Sequence, residues 1–219
     1  MIDVIYLNGG KGIRAGLGYP KQFTRLAGKP IMIYGLEVLD KIKEINQIII
    51  PSSYIDTTII LLEQYQIKNF KIIENGENRQ MSVYNALGHV NTKHVLIMES
   101  VRPFINIEFV ENIINIDSDF VVPISRSLAT VLTRDGKVID RDQVGQVQMP
   151  QKYLKSLLID CHNKAFNRNQ LEYTDDAALV ISESDSKPYV IDGLEQNIKI
   201  TTPLDLRIME GLFKGADNE

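Results

Sequence analysis

Short apolar runs alternate with amphipathic segments along most of this chain. Several runs are apolar over their whole length, which is typical of parallel strands covered on both faces. Five strands are predicted: Val4–Leu7, Gln47–Ile50, Phe70–Ile73, His94–Met98 and Phe120–Pro123. Apolar residues recur at helical spacing in four segments between them: Ile31–Ile42, Ile55–Tyr65, Gln80–His89 and Glu108–Ile116. The alternation predicts an α/β fold, a doubly wound and mostly parallel Rossmann-like sheet with ligands at the carboxyl ends of its strands.

Residues 125–148 follow a different pattern. Two short alternating runs, Thr130–Thr133 and Lys137–Asp140, flank Arg134-Asp135-Gly136. An Asp-Gly pair between such runs is typical of a β-hairpin. No repeat or linker divides the chain, and 219 residues are enough for one sizeable α/β domain. We therefore predict a single domain over residues 1–219 with a protruding β-hairpin arm at 125–148.

Composition and charge exclude several classes of protein. The net charge of −4 argues against nucleic acid as a partner, because binding to a phosphate backbone requires a basic face. No apolar run approaches the length needed to span a bilayer. The single cysteine, Cys161, cannot form an intramolecular disulfide, and the first residues do not resemble a signal peptide. We expect a cytoplasmic protein that binds neither nucleic acid nor membrane.

The segment from Leu7 to Phe23 carries the clearest chemical signal, because it follows the first strand and is rich in glycine. Its glycines and cations include Gly9, Gly10, Gly12, Arg14 and Lys21. Glycines let a backbone approach a ligand closely, and successive N–H groups in such a loop form an anion-binding concavity. Arginine and lysine add cations whose natural partners are phosphate oxygens. The loop therefore predicts binding of a triphosphate.

Two familiar glycine motifs fit this loop poorly. A P-loop needs a Gly-Lys-Ser/Thr triplet, which is missing. Residues 10–15 match the dinucleotide fingerprint, but Gly16, Gly18 and Pro20 would break the helix that should follow. The second strand also ends in Pro51-Ser52, where the fingerprint requires an acidic residue. A nicotinamide or flavin site is therefore disfavoured, and a glycine-rich turn without a ligand is the other alternative.

Six motifs follow one another over nearly the whole chain. They are LNGGKGIR with Pro20-Lys21-Gln22, Asn75–Val83, Arg102-Pro103-Phe104, Gln148–Gln151, Thr174–Ala177 and Asn197–Pro203. In this order they resemble the motifs of the cytidylyltransferases that couple CTP to a polyol phosphate. The two best-known branches of that family use methylerythritol 4-phosphate and ribitol 5-phosphate. The resemblance implies a nucleotidyltransferase fold, CTP as co-substrate, Mg²⁺ as cofactor, and a homodimer whose arms reach the neighbouring subunit.

The resemblance also implies roles for the matching residues. As catalytic residues it indicates Arg14, Lys21 and Lys199. For CTP binding it indicates Leu7, Asn8, Gly9, Gly10, Gly12, Glu77 and Ser82. For the acceptor it indicates Glu99, Arg102, Ser127, Arg141 and Thr201, with Glu99 also near the metal. Ser127 and Arg141 would act from the arm on the partner's substrate.

Structural interpretations of several of these residues stay open beside the functional ones. Lys21 and Lys199 are also interpretable as solvated lysines, and Arg102 as one half of a structural salt bridge with Glu99. Asp175 and Asp176 precede an apolar run, so we interpret them as helix-cap residues. The histidines show no ligand spacing, so we interpret them as ordinary surface or core residues.

One departure from the family pattern bears on the choice of acceptor. Where the family has His-Asp, this chain has Met98-Glu99, and the extra methylene moves a carboxylate oxygen that lies near substrate and Mg²⁺ in the family. Three hypotheses result. Ribitol 5-phosphate is the favoured acceptor, because Gly-Gly-Lys-Gly in the first loop and Val101 before Arg102 are similar to that branch. Methylerythritol 4-phosphate or another sugar or polyol phosphate is the second. A nucleotide-binding regulatory protein without turnover is the third.

Overall fold

The computed structural model describes residues 1–10 and 19–216, apart from the side chains of 214–216. The strands are β1 Ile2–Leu7, β2 Arg25–Leu26, β3 Lys29–Pro30, β4 Ile45–Ser52, β5 Phe70–Glu74, β6 His94–Glu99, β7 Phe120–Arg126, β8 Val131–Leu132, β9 Val138–Ile139, β10 Gly145–Val147, β11 Gln151–Leu154 and β12 Tyr189–Asp192. The α-helices are α1 Ile31–Leu39, α2 Ile55–Gln64, α3 Arg79–Leu87, α4 Ile107–Asn115, α5 Lys155–Asn167, α6 Asp176–Glu183 and α7 Pro203–Ala216. Short 3₁₀ helices span Lys21–Phe23 and Arg141–Gln143.

Eight strands form one central sheet in the order β10-β7-β11-β6-β1-β4-β5, with β12 also paired to β7. The half containing β5, β4, β1 and β6 is parallel. Strand β11 runs antiparallel to both β6 and β7. Strands β10 and β12 pair with β7 in antiparallel and parallel orientation, respectively. The predicted doubly wound, mostly parallel sheet is confirmed, and its antiparallel strands are an addition that the apolar pattern did not predict.

Helices cover both faces of the sheet, and the strand residues alternate between two cores. On one face Val4, Ile48 and Leu96 pack with α1, α2 and α4. On the other face Ile5 and Ile97 pack with α3, α5 and α6. Burial on both faces explains why these strands are apolar at every position. Among the described residues, no helix is long and apolar enough to cross a membrane.

The hairpin predicted within 125–148 is present. Strands β8 and β9 pair in a small sheet of their own, and the turn between them is closed by a hydrogen bond from Gly136 N to the Thr133 carbonyl oxygen of 3.0 Å. Strands β7 and β10 form the base of the arm within the central sheet. The arm carries exposed apolar residues, with Leu128 83 % and Val138 65 % accessible. Its role in dimerisation stays a prediction.

Candidate active site

A cavity of about 490 Å³ lies at the carboxyl ends of the parallel strands. Its lining comes from the segments that follow β1, β4, β5 and β6, where ligands bind in open α/β sheets. We call it the strand-end cavity and define it by the predicted site residues that line it: Leu7, Gly9, Gly10, Lys21, Glu77, Ser82, Glu99 and Lys199. Eight of the predicted residues, seven from three of the motifs together with Glu99 at the end of β6, therefore meet in one place.

The first loop reaches this cavity because the backbone passes close to the segment after β5. A Cβ atom on Gly9 would lie 1.8 Å from Asn75 Oδ1, so only glycine fits there. The neighbouring Asn8 lies behind the cavity, fully buried. Its carbonyl oxygen accepts a hydrogen bond from Gln22 Nε2 at 2.9 Å, and its side-chain amide donates to Thr58 Oγ1 at 3.3 Å. Asn8 therefore fixes the loop and leaves contact with a ligand to its glycine neighbours.

Helix α3 directs its amino terminus towards the same cavity. Asn78 caps the helix by accepting a hydrogen bond from Met81 N at 2.8 Å. Ser82 is 2 % exposed, and its hydroxyl accepts from Gly76 N at 3.1 Å and donates to the Asn78 carbonyl oxygen at 2.7 Å. Ser82 therefore shapes the turn that carries Glu77. The positive end of the helix dipole favours an anionic ligand beside it.

Arg79, the first residue of α3, is a cavity residue that the sequence predictions did not include. Its Nη2 lies 2.6 Å from Asp176 Oδ2, and Asp176 is 1 % exposed. Burial lowers the pKa of Arg79, but Asp176 outweighs that effect and raises it overall. Asp175 caps α6 through Ala178 N at 2.8 Å, as predicted. The interpretation of Asp176 as a helix cap is incomplete, because the salt bridge joins α6 to α3. The arginine in the Asn75–Val83 motif was the available signal.

Glu99, at the end of β6, lies between two cations. Glu99 Oε1 is 2.6 Å from Lys199 Nζ, and Glu99 Oε2 is 3.2 Å from Arg102 Nε. Burial raises the pKa of Glu99, but the surrounding cations, Lys199 foremost, outweigh that effect and lower it to about 2. The carboxylate is therefore ionised at neutral pH. The salt bridge between Arg102 and Glu99 that the sequence left open is present, and it lies inside the site.

A second cavity, of about 950 Å³, adjoins the first. We call it the arm-base cavity, because residues of β7, β10 and β12 line it together with Arg102, Lys199 and Thr201. Lys199 lines both cavities. Each cavity could hold one substrate, and Lys199 stands where the two substrates would meet.

The two arm residues line neither cavity of their own chain. Ser127 Oγ donates to the Ala129 carbonyl oxygen at 3.0 Å, and Arg141 Nη1 donates to the Leu128 carbonyl oxygen at 3.1 Å. Both residues lie on the arm, and their contact with the substrate of a neighbouring subunit stays a prediction. Gly12 and Arg14 lie outside the described residues, and their roles stay predictions.

The acidic side chains of the strand-end cavity bear on the predicted metal site. Within residues 1–10 and 19–216, no group of three His, Cys, Asp or Glu side chains could hold a metal ion. Mg²⁺ rarely uses a protein cage of that kind, because it keeps several waters and binds substrate phosphates with one or two carboxylates. Glu99 is ionised and lines the cavity. Its two oxygens are paired with Lys199 at 2.6 Å and with Arg102 at 3.2 Å, so it could act as a single carboxylate ligand by exchanging one of these ion pairs for the metal.

Comparison with known proteins places the chain in a family. The family model described as IspD, 2-C-methyl-D-erythritol 4-phosphate cytidylyltransferase, matches residues 2–214. The chain belongs to this family. The prediction of a cytidylyltransferase is thereby confirmed at the level of the family.

Relatives and a solved structure match this chain over nearly its full length. The chain is 36 % identical to the 2-C-methyl-D-erythritol 4-phosphate cytidylyltransferase of Clostridium botulinum (strain Eklund 17B / Type B), over 97 % of this chain and 99 % of the relative. It is 34 % identical to the protein of the same name from Azobacteroides pseudotrichonymphae, over 96 % and 97 %. The crystal structure of 4-diphosphocytidyl-2C-methyl-D-erythritol synthase from Anaerococcus prevotii DSM 20548 superposes with a TM-score of 0.84 at 26 % identity, over 98 % of this chain and 96 % of that one. Each of these names points to the methylerythritol branch.

Proposed function

We propose that this protein transfers the cytidylyl group of CTP to 2-C-methyl-D-erythritol 4-phosphate, forming 4-diphosphocytidyl-2-C-methyl-D-erythritol and pyrophosphate. The observation that carries the proposal is the meeting of two cavities at Lys199 in a chain that matches this family over residues 2–214. The arrangement suits a reaction in which two phosphorylated substrates must be joined.

The strand-end cavity is the proposed site of CTP. Gly9 and Gly10 bring backbone close to the ligand, Glu77 and Ser82 lie on the opposite wall, and Lys21 adds a cation. Lys21 is only 9 % exposed, which argues against the interpretation as an ordinary solvated lysine. Arg14 and Gly12 would complete this site from the part of the loop outside the described residues.

The arm-base cavity is the proposed site of the acceptor. Arg102 presents a guanidinium to it, and Thr201 and Lys199 lie on the same side. A guanidinium fork suits a phosphate or a pair of hydroxyl groups. Arg102 is itself held by Glu99 and by the Asn197 carbonyl oxygen, at 3.2 Å and 2.8 Å. Its position is therefore set before the acceptor binds.

The transfer requires positioning and charge neutralisation more than covalent help. An oxygen of the acceptor phosphate forms a bond to the α-phosphorus of CTP, the bond to the bridging oxygen breaks, and pyrophosphate carries that electron pair away. The acceptor oxygen is already deprotonated, so no general base is needed. Lys21 and Lys199 would stabilise the charge that develops on the phosphoryl oxygens. Mg²⁺, held by Glu99 and by the triphosphate, would supply further neutralisation when bound.

Ribitol 5-phosphate, the acceptor that the sequence motifs favoured, is the second candidate. Gly-Gly-Lys-Gly in the first loop and Val101 before Arg102 support it. The relatives named above favour methylerythritol 4-phosphate instead, and they match over the whole chain rather than at single positions. We therefore place methylerythritol 4-phosphate first.

We also propose a homodimer through the arm. Leu128, Leu132 and Val138 expose 83 %, 57 % and 65 % of their surface, which is unusual for large apolar residues clustered on one projection. A two-fold dimer would cover them and bring Ser127 and Arg141 to the arm-base cavity of the other subunit.

Pyrophosphate release tests the proposed reaction. CTP and Mg²⁺ are supplied with methylerythritol 4-phosphate, ribitol 5-phosphate, glycerol 3-phosphate or no acceptor, and products are identified by mass. Release with methylerythritol 4-phosphate alone is expected. Release with ribitol 5-phosphate alone would contradict the proposed acceptor. If no acceptor supports pyrophosphate release although CTP still binds, the hypothesis of a regulatory protein without turnover is favoured.

A further inference from the structure

The segment 193–200, which carries Lys199, has no regular secondary structure. Four backbone hydrogen bonds hold it: Gly193 N donates to the Ile124 carbonyl oxygen, Asn197 N to Leu194, Ile198 N to Gln196, and Ile200 N to Val101. Side chains that contact the segment add to these bonds and help to set the position of the Lys199 ammonium.

The side chain of Gln148 holds both polar groups of one residue in this segment. Gln148 Nε2 donates to the Leu194 carbonyl oxygen at 2.8 Å, and Gln148 Oε1 accepts from Leu194 N at 3.0 Å. Gln148 is 5 % exposed. Its own backbone is fixed in the break between β10 and β11, where its N–H donates to the Pro123 carbonyl oxygen at 2.8 Å. A buried, two-point hydrogen bond of this kind leaves the segment little freedom to shift.

Gly193 allows this close approach. A Cβ atom on Gly193 would lie 2.3 Å from Gln148 Oε1, a distance that no side chain could occupy without moving the carboxamide. Any larger residue at this position would therefore separate Gln148 from Leu194. The contact thus depends on two residues that are 45 positions apart in the sequence.

Asn197 extends the contact from Leu194 to Arg102. Its side-chain amide donates to the Met149 carbonyl oxygen at 2.6 Å. Its own carbonyl oxygen accepts from Arg102 Nη1 at 2.8 Å. A shift of the segment would therefore displace Arg102 as well as Lys199.

We propose that the Gln148 carboxamide is a positioning group for cytidylyl transfer, which holds the segment 193–200 so that Lys199 and Arg102 meet the two substrates in register. This inference rests on the proposed function of Lys199. Gln148 acts through the backbone of Leu194, because its carboxamide is already engaged by protein groups.

Kinetics of Gln148→Leu test the proposal. The variant keeps the approximate volume and removes both hydrogen bonds to Leu194, together with the longer one that Asn197 Nδ2 donates to Gln148 Oε1 at 3.4 Å. We therefore expect kcat to fall about 10- to 100-fold while the KM for CTP changes little. Gly193→Ala should lower kcat in the same way, because its Cβ would displace the Gln148 carboxamide. This variant replaces Gln148→Leu in the test if Gln148→Leu does not fold. Gln47→Leu is the matched control, because the Gln47 carboxamide also makes two hydrogen bonds, to Asp3 Oδ2 at 3.1 Å and to the His89 carbonyl oxygen at 3.0 Å, at the end of the sheet opposite to both cavities.

A double-mutant cycle with Lys199→Ala separates positioning from general damage. Because only Arg102 then remains to be positioned, adding Gln148→Leu to Lys199→Ala should lower kcat by a clearly smaller factor than Gln148→Leu does in the wild type. Two results would overturn the inference: kcat losses that multiply in full in the double variant, or a loss of kcat in Gln47→Leu equal to that in Gln148→Leu. Wild-type turnover in Lys199→Ala would instead show that the proposed role of Lys199 is wrong, which distinguishes that failure from a failure of the Gln148 contact.

Discussion

Replacing Glu99 by glutamine should have a measurable effect on stability with a defined pH dependence. The pKa of Glu99 is lowered from 4.5 to about 2, and each pH unit of such a difference corresponds to about 1.4 kcal/mol. The ionised carboxylate therefore contributes about 3 kcal/mol to the free energy of unfolding at neutral pH. Glu99→Gln removes this charge and leaves the guanidinium of Arg102, 9 % exposed, without its counter-ion. Lys199, 36 % exposed, can return to water, so we expect a loss of about 2–3 kcal/mol.

The sign of the pH dependence follows from a lowered carboxyl pKa. The stabilisation is fully present above pH 4.5 and is lost as the pH falls towards 2, where the folded protein also binds the proton. At pH 3 about half of it should remain. The difference between wild type and variant should therefore shrink from about 3 kcal/mol at pH 7 to about half of that value at pH 3.

Urea unfolding at the two pH values measures this difference. Glu74→Gln is the matched control, because Glu74 is exposed at the end of β5 in the same sheet. Its replacement should change the free energy of unfolding by less than about 0.5 kcal/mol. A difference between wild type and Glu99→Gln that is the same at pH 7 and pH 3 would refute the reasoning. So would a loss no larger than that of the control.

Three further predictions concern single side chains. Lys21→Ala should lower turnover more than about 100-fold, while circular dichroism shows that the fold is retained. Lys43 is an exposed lysine distant from both cavities, so Lys43→Ala should have nearly normal turnover. Normal turnover in Lys21→Ala would contradict the proposed chemistry. Burial lowers the pKa of His162 from 6.5 to about 4. The free energy of unfolding of the wild type should therefore fall by about 2 kcal/mol between pH 7 and pH 5, a loss that His162→Leu should not show. The same pH dependence of thermal unfolding in both proteins would contradict this prediction. Mixing inactive Lys21→Ala and Arg141→Ala subunits should restore up to about a quarter of wild-type turnover if each arm completes its neighbour's site in a two-fold dimer, whereas no recovery on mixing would exclude that arrangement.

The sequence predicted the parts of the fold in which burial is uniform. The five predicted strands and four predicted helices are present with small shifts at their ends, because strands buried on both faces must be apolar at every position. Strands β10, β11 and β12 are short and partly polar, so no apolar run marked them. Helix α5 escaped prediction because part of its buried face consists of Cys161, His162 and Ala165, which are weak hydrophobic signals.

The site was predictable where residues share a motif and not where the fold joins distant ones. The glycine loop and Lys21 follow from local chemistry. The ion pair between Glu99 and Lys199 joins residues 100 positions apart, and that between Arg79 and Asp176 joins residues 97 apart. Spacing along the chain carries no information about such pairs, because only the sheet order brings their strands and helices together. The same holds for the hydrogen bonds from Gln148 to Leu194.

A crystal structure with the product 4-diphosphocytidyl-2-C-methyl-D-erythritol would show whether the site is divided into a nucleotide cavity and an acceptor cavity. We expect cytidine in the strand-end cavity against Gly10 and Glu77, the diphosphate beside Lys21 and Lys199, and the methylerythritol moiety in the arm-base cavity near Arg102. Product bound with the two ends exchanged, or bound away from Lys199, would contradict the division of the site into a nucleotide cavity and an acceptor cavity.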